Sequence, residues 1–215
     1  MTRRLNIPAI EKSLRNVKRE FHVINKSLSD RRDPFTDEVI ANMVEGYQRI
    51  DDYLAKGINP FEVGHSKYML ELNHIVLCGR DNRGEQCYEK QLSASKKHFY
   101  SDEGGIADVM DWLDIHNDSR AWLQAAGMFT RILSQPQLFI EGNHRTGALL
   151  MSYWLVSHGK PPFVLTAENA RHFFEPASLI KKKKKKGLDK LLRLPRLAKQ
   201  LARQLKQDAR RSFLL

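Results

Sequence analysis

The sequence predicts a mainly α-helical protein, and three observations support that fold class. Apolar residues recur at intervals of three and four in most segments of the 215-residue chain, which is the period of a helix with one buried face. Glycine and proline residues separate these segments. Because 41% of the residues are hydrophobic, the chain has enough apolar side chains to build a core between packed helices.

The first two helices are predicted by their period and by their ends. Residues 8–28 carry apolar positions at helical spacing, and Asp33-Pro34 breaks that pattern. Thr36 is a favourable N-cap residue for the second helix, and the two acidic residues that follow it favour the first turn. The second helix then runs to Leu54, and Gly57 with the following Asn-Pro pair ends it.

A third helical segment and a small β-hairpin are predicted next. Residues 65–78 form an apolar segment that closes at Gly79. After the polar turn at 81–84, two short mixed segments at 86–92 and 96–100 favour a pair of antiparallel strands. Four later segments return to the helical period, namely residues 106–113, 119–134, 145–158 and 166–175.

The charge is concentrated at the C-terminal end. The formal net charge is +11, but residues 181–215 hold fourteen basic and two acidic residues, so residues 1–180 have a net charge of −1. Six consecutive lysines, Lys181 to Lys186, predict an extended and solvated stretch because like charges repel. After Pro195, apolar residues at helical spacing among Lys and Arg predict a basic amphipathic helix.

The basic tail, residues 181–215, has several candidate partners. A basic amphipathic helix can bind nucleic acid, an anionic membrane or a groove on another protein. It can also fold back on the body of its own chain or fray. Because the tail carries the concentrated positive charge, we expect it to carry the affinity for polyanions. Because the helical segments of the body lie upstream, we expect its removal to leave the body folded.

Composition and termini argue against several classes of protein. No run approaches the roughly 18 apolar residues that a membrane span needs, so no transmembrane segment is expected. No apolar stretch follows the basic N-terminus, so a secretory signal is not predicted. Cys78 and Cys87 are therefore expected to be reduced thiols in a cytoplasmic protein. The eight histidines show no spacing typical of a metal site.

The candidate functional site is a short loop that precedes the apolar helix at 145–158. Its free backbone N–H groups would favour an anion, and Gly142 would let a ligand approach the backbone. Asn143 and Arg145 offer hydrogen-bond donors to a phosphate, while Glu141 offers a carboxylate to a phosphate-bound Mg²⁺. The alternative is a tight helix–helix loop closed by a capping ion pair.

The run from Gln137 to Arg145, QLFIEGNHR, resembles the signature of the Fic (Fido) family, H-P-F-x-[D/E]-G-N-G-R followed by a helix. The similarity covers about residues 65–180, including residues 146–151, 158–163 and 100–113. It implies a helical domain with a β-hairpin flap over a nucleotide pocket, and transfer of AMP from ATP to a hydroxyl of a target protein docked on the flap. It also implies Mg²⁺ at Glu141 and nucleotide contacts from Gly142, Asn143, His144, Arg145, Thr146 and Gly147.

The loop departs from the family signature where the chemistry is most demanding. Gln137 occupies the position of the catalytic histidine, and its amide cannot act as a general base near neutral pH. His144 stands where glycine is usual, so it either replaces that base or packs and contacts phosphate. Ala148 replaces a second arginine that many Fic proteins have.

Glu45-Gly46 in the second helix resembles the inhibitory helix of many Fic proteins, [S/T]-x-x-x-E-[G/N]. There the glutamate pairs with the second arginine. Here the first position of that motif is Ala41 and the arginine position is Ala148, so both partners are missing. Glu45 is therefore either a regulatory residue without its ion pair or a solvated glutamate on a helix.

Taken together, the sequence predicts an N-terminal helical region at 1–60, a Fic-like domain at 61–180 and the basic tail at 181–215. The predicted function is binding of ATP with Mg²⁺, with protein adenylylation impaired by the missing base. The alternative is a non-catalytic Fic-fold module that engages a protein or a polyanion through the basic tail.

Overall fold

Helices make up most of the structure, as the sequence predicts. The computed structural model describes residues 4–79 and 93–215. The α-helices are α1 (Ile7–Lys26), α2 (Asp37–Lys56), α3 (Lys67–Cys78), α4 (93–99), α5 (Ile106–Ile115), α6 (Ala121–Leu133), α7 (Asn143–Ser157), α8 (Ala170–Lys181) and α9 (Leu194–Gln207). A π-helical turn at Asp189–Arg193 leads into α9, and a 3₁₀ turn at Arg211–Phe213 follows it.

Helices α6 and α7 lie at the centre of the fold. Helix α6 packs against α7, α9, α5 and α8, and its residues 124–133 are all buried. Helix α7 is buried along most of its length and also contacts α2 and α3. Helices that are apolar on several sides are stable only inside a protein, so these two form the core that positions the loop between them.

The ends of α2 agree with the prediction. The Thr36 hydroxyl accepts a hydrogen bond from the Val39 backbone N–H at 3.2 Å, and Asp37 and Glu38 lie in the first turn. Gly57 closes the helix with φ of 65°, a left-handed conformation that glycine adopts at little cost. Capping chemistry is local, which is why these bounds could be predicted from sequence.

The predicted β-hairpin is not supported. Its second strand, at 96–100, is wrong, because residues 93–99 form helix α4. Ser95 and Phe99 are both buried, and a spacing of four places them on one face of a helix. The turn at 81–84 and the first strand at 86–92 lie outside the described residues. The described part of the chain contains isolated bridges at Leu5–Leu214 and Gln135–Lys184 but no sheet.

The last predicted helix of the body is shifted along the chain. It was expected at 166–175, but α8 covers Ala170–Lys181. Thr166 and Asn169 bond each other's backbone N–H groups through their side chains, at 2.8 and 3.1 Å, and this turn delays the start of the helix. Helix α8 then continues past Pro176 to the first lysine of the basic run.

The lysine run is not fully solvated, contrary to prediction. The Lys185 side chain is only 6% exposed; its Nζ donates to the Gly104 carbonyl at 3.0 Å and lies 3.5 Å from an Asp108 oxygen. Arg131 approaches the other Asp108 oxygen at 3.5 Å. Burial lowers the pKa of Lys185 to about 8. The segment thus uses one of its six charges to close a buried ionic cluster.

The C-terminal helix packs on the body, which is one of the alternatives that the sequence leaves open. The apolar face of α9, including Leu194, Leu201 and Leu205, is buried, and α6 is its main neighbour. Beyond it, the Asn6 backbone N–H donates to the Phe213 carbonyl at 2.9 Å. Because the tail covers a face of the central helix, we expect its removal to destabilise the body, contrary to the expectation from the sequence. Within the described ranges, no helix is long and apolar enough to cross a bilayer.

Candidate functional site

The loop between α6 and α7 is held by its own side chains. Leu138 and Phe139 point into the core. The Asn143 side chain accepts from the Phe139 backbone N–H at 2.9 Å and donates to the Phe139 carbonyl at 2.6 Å. This reciprocal pair occupies the side-chain amide of Asn143, so the donor that this residue offers at the start of α7 is its backbone N–H.

The turn into α7 requires glycine at residue 142. Gly142 has φ of 76°, and a Cβ there would lie 2.9 Å from Nδ2 of Asn73 in α3. That same amide donates to the Glu141 carbonyl at 2.9 Å and to the Thr146 hydroxyl at 3.0 Å. Asn73 was not singled out from the sequence, although a polar residue inside an apolar helix is a signal that could have identified it.

The loop leaves the first backbone N–H groups of α7 without acceptors in the helix. Thr146 is the first residue whose N–H bonds back, to the Gly142 carbonyl at 2.9 Å. The N–H groups of Asn143, His144 and Arg145 precede it, and the cap residue is a glycine, which has no side chain to accept from them. The start of α7 therefore presents the partial positive charge that favours an anion.

A cavity of about 300 Å³ opens in front of this helix start. Residues 141–145 form one wall, and the segment 32–35 with helices α2 and α8 forms others. Its charged lining consists of Arg32, Arg145, Lys181, Asp33 and Glu141. The apolar and aromatic lining consists of Leu14, Phe21, Phe35, Val39, Met43, Tyr47, Ala148, Phe163, Leu165, Phe173 and Phe174.

Arg32 reaches the cavity from the connection between α1 and α2 and is held by α8. Its Nη2 donates to the Phe174 carbonyl at 2.9 Å and to the Ser178 hydroxyl at 2.5 Å. The guanidinium also lies over the Phe174 ring, 5.2 Å from its centre. Burial lowers the pKa of Arg32, yet an arginine stays charged at any physiological pH. The result is a fixed, half-buried cation.

His144 is kept neutral by its surroundings. Its Nε2 lies 3.3 Å from Nη1 of Arg32, and because arginine only donates, Nε2 accepts and the proton resides on Nδ1. Burial lowers the pKa of His144 to about 3, and the positive charges of Arg32, Lys181 and Arg145 contribute to this shift. With His144 neutral, three cations and two carboxylates line the cavity, a formal net charge of +1.

Arg145 forms the third part of this cluster. Its Nη1 donates to the Val76 carbonyl near the end of α3 at 2.5 Å, and the residue lines the cavity. The structure thus brings five of the predicted ligand-binding residues to one cavity: Glu141, Gly142, Asn143, His144 and Arg145. Sequence reasoning missed Arg32 and the cavity position of Lys181, since neither lies in the loop.

The other predicted site residues lie elsewhere. Thr146 and Gly147 are on the buried side of α7, and a Cβ at Gly147 would lie 2.9 Å from the Phe129 ring. Glu45 is not part of the cavity wall; its carboxylate lies beside Gly79, next to the end of α3. Gly46 instead allows α2 to approach Leu149 of α7 closely.

Gln137 also lies outside the cavity lining. Its side chain donates to the Leu133 carbonyl at the end of α6, at 3.1 Å. Its backbone carbonyl is 2.5 Å from Nε2 of His98 in α4, a contact that sequence reasoning did not anticipate. The imidazole of His98 thus binds the main chain of residue 137, where it supports the loop.

The candidate site offers one exposed carboxylate to a metal ion. Glu141 lies at the cavity wall with its side chain toward solvent, and Mg²⁺ commonly binds one carboxylate together with substrate phosphates and water. In the described residues, no three His, Cys, Asp or Glu side chains gather as a ready-made metal site.

Comparisons with models of known families, with curated proteins and with solved structures find no match for this chain.

Proposed function

We propose that this chain is a Fic-type nucleotide-binding protein that holds the phosphates of ATP in the cavity at the start of α7. The observation that carries the proposal is the convergence of Arg32, Arg145 and Lys181 on a cavity that also receives the N-terminus of a buried helix. Arg32 and Arg145 are partly buried and Lys181 is exposed, and an anionic ligand would form charge-assisted contacts with all three. The carboxylates of Asp33 and Glu141 lie in the same lining.

The apolar walls support a ligand with more than a phosphate. Aromatic side chains from three parts of the chain, Phe35, Tyr47 and Phe163, line the cavity together with aliphatic ones. A flat apolar group such as a nucleobase gains by leaving water for such a surface. A cavity of about 300 Å³ is at the lower end of the range for small-molecule sites, so a compact nucleotide is the class we propose.

Arg32 compensates for a departure from the family signature. Ala148, which stands where many Fic proteins have a second arginine, lines the cavity and contributes no charge. Arg32 and Lys181 bring their cations into the same cavity from other segments. We propose that they contact the phosphates in its place, with Glu141 as the protein ligand of a phosphate-bound Mg²⁺. That ion would neutralise part of the phosphate charge.

We further propose that binding is not followed by efficient AMP transfer. Gln137 has no usable basicity, and His144 is a poor proton acceptor with a pKa near 3. The hairpin flap, on which the resemblance would dock a target protein, has no counterpart in the described residues 93–100. The function that we propose is therefore nucleotide binding.

The test is isothermal titration of the full chain with ATP, ADP, AMP and inorganic phosphate, each with Mg²⁺. Arg32→Gln and Lys181→Gln should each weaken ATP binding about tenfold or more, as expected for the loss of a charge-assisted contact. Arg31→Gln and Lys186→Gln are matched controls, since both residues are exposed and neither lines the cavity. Absence of binding to the wild type, or equal binding by cavity and control variants, would refute the proposal.

A further inference from the structure

Three leucines lie exposed just before α9. Leu188, Leu191 and Leu192 expose 66%, 72% and 50% of their surface. All three lie close together in the helical segment that begins at Gly187. Burial of such side chains is favourable by a substantial transfer free energy, so an exposed cluster of three is typical of a surface that contacts another molecule.

The π-helical turn accounts for their orientation. In a regular α-helix, Leu191 and Leu194 would share a face. Residues 189–193 instead wind more widely. Leu188, just before this turn, and Leu191 and Leu192 within it face solvent, while Leu194 is buried against the body. The apolar face of α9 is thus occupied, whereas the apolar face of the preceding turn is not.

The exposed leucines are surrounded by positive charge. Lys184, Lys186 and Lys190 are exposed in the same short segment. The nearby acid, Asp189, accepts from the Lys184 backbone N–H at 3.0 Å and pairs with Arg193 at 3.0 Å, so its charge is already compensated. We call Leu188, Leu191, Leu192, Lys184, Lys186 and Lys190 the Leu–Lys surface.

The basic character continues along the outer face of α9. Arg196, Lys199, Arg203 and Lys206 are all exposed and follow one another at intervals of three and four. The helical segment from residue 187 to residue 207 therefore presents leucines at its beginning and cations along its exposed length.

We propose that the Leu–Lys surface binds an anionic lipid bilayer. The leucines enter the boundary between headgroups and acyl chains, and the lysines contact the lipid phosphates. Charge complementarity and apolar burial act together, and stable peripheral binding generally needs two such signals. A nucleic acid duplex would use the cations alone and leave the leucines in water, so the combination favours a bilayer.

This mode of binding differs from insertion of the amphipathic helix α9. The leucines of α9 that would insert, Leu201 and Leu205, are buried against the body. The folded protein would instead dock through side chains that are already exposed. No change in helix content accompanies docking on this surface.

The experiment is co-sedimentation of the full chain with vesicles of phosphatidylcholine alone and of phosphatidylcholine with about 30% phosphatidylglycerol. The wild type should co-sediment with the anionic vesicles and remain in the supernatant with the neutral ones. Replacing the three leucines together (Leu188→Ser, Leu191→Ser, Leu192→Ser) should lower partitioning by about tenfold or more at both low and high salt. Replacing the three lysines together (Lys184→Gln, Lys186→Gln, Lys190→Gln) should lower it mainly at low salt.

The matched control replaces exposed apolar residues elsewhere, Val63→Ser with Ile115→Ser, which are 95% and 76% exposed. This variant should partition like the wild type, and circular dichroism of the wild type should not change on vesicles. The proposal is overturned if anionic vesicles do not bind the wild type, or if the leucine variant binds as well as the control. It is also overturned if duplex DNA binds the wild type while vesicles do not.

Discussion

Gln137 occupies the position of the catalytic histidine in the family that the loop resembles. Gln137→His should raise transfer of label from α-labelled ATP, including self-modification, because an imidazole accepts a proton near neutral pH and an amide does not. A general base contributes about 10²–10⁴ to a rate, which bounds the gain. Gln137→Asn is the control and should stay at the wild-type level.

Two results would contradict this account of Gln137. Efficient transfer by the wild type would show that no base is missing. No gain in Gln137→His, in a protein that still binds ATP, would show that the position is turned away from the reacting groups. The Gln137 side chain bonds the Leu133 carbonyl outside the cavity, so the expected gain requires the new histidine to adopt a different orientation.

His144 makes the stability of the fold depend on pH. Its pKa is about 3 in the folded protein and near 6.5 in an unfolded chain, so between these values only the unfolded state takes up the proton. The contribution of neutral His144 to the free energy of unfolding is therefore fully present above about pH 6.5 and is lost as the pH falls toward 3. Between pH 7.5 and 5, the free energy of unfolding should fall by roughly 2 kcal/mol more in the wild type than in His144→Gln, measured by urea denaturation. Equal losses in the two proteins would contradict the burial of a neutral imidazole.

Residues of the cavity differ in how well sequence could identify them. The run from Glu141 to Arg145 could be predicted because a glycine, an amide and a base before an apolar helix have a local chemical meaning. Arg32 and Asn73 could not, since they reach the loop from helices and connections far away in the chain. His98 was missed because it binds a backbone atom of the loop, which no side-chain pattern records.

At the level of elements, Gly127 sets the distance between α5 and α6. A Cβ at this position would lie 2.1 Å from the Trp112 ring, which itself stacks on His116 and lies under the Arg131 guanidinium. Alanine favours a helix over glycine by about 1 kcal/mol, but overpacking a rigid ring costs about 1–3 kcal/mol. Gly127→Ala should therefore destabilise the protein in thermal and urea unfolding.

The double variant tests whether the ring is the cause. In a Trp112→Leu background, Gly127→Ala should cost much less, so the two effects should be clearly non-additive. Additive losses would mean that Gly127 is needed for a reason other than its contact with Trp112.

The helices themselves were predictable to different degrees. Helix α2 has both end signals in its sequence, and its observed bounds agree with them. Helix α4 is short and carries only two buried positions among seven residues, too few to distinguish a helical period from a strand. Helix α8 begins late because of a side-chain turn at Thr166 and Asn169, whose geometry becomes evident only in three dimensions.

At the level of the whole molecule, α9 is part of the core. Leu201→Ala should lower the free energy of unfolding by about 2–5 kcal/mol, as for other large-to-small changes in a packed interior. Lys199→Ala, on the exposed face of the same helix, should change it little. Deletion of residues 194–215 should abolish cooperative urea unfolding followed by circular dichroism. A truncated protein with an intact transition would show that α6 and α7 are stable without this cover.

The buried place of Lys185 has a consequence for the register of the chain. Six identical side chains cannot specify which lysine sits beside Asp108. That choice depends on the backbone bonds of Lys183 and Lys185 to Gln135 and on Asp189, which accepts from the Lys184 N–H. Loss of one lysine from the run would leave another of the same chemistry to take the buried place. We therefore expect the buried place to stay filled when the run loses one lysine. The deletion would instead shorten the connection between α8 and the exposed leucines.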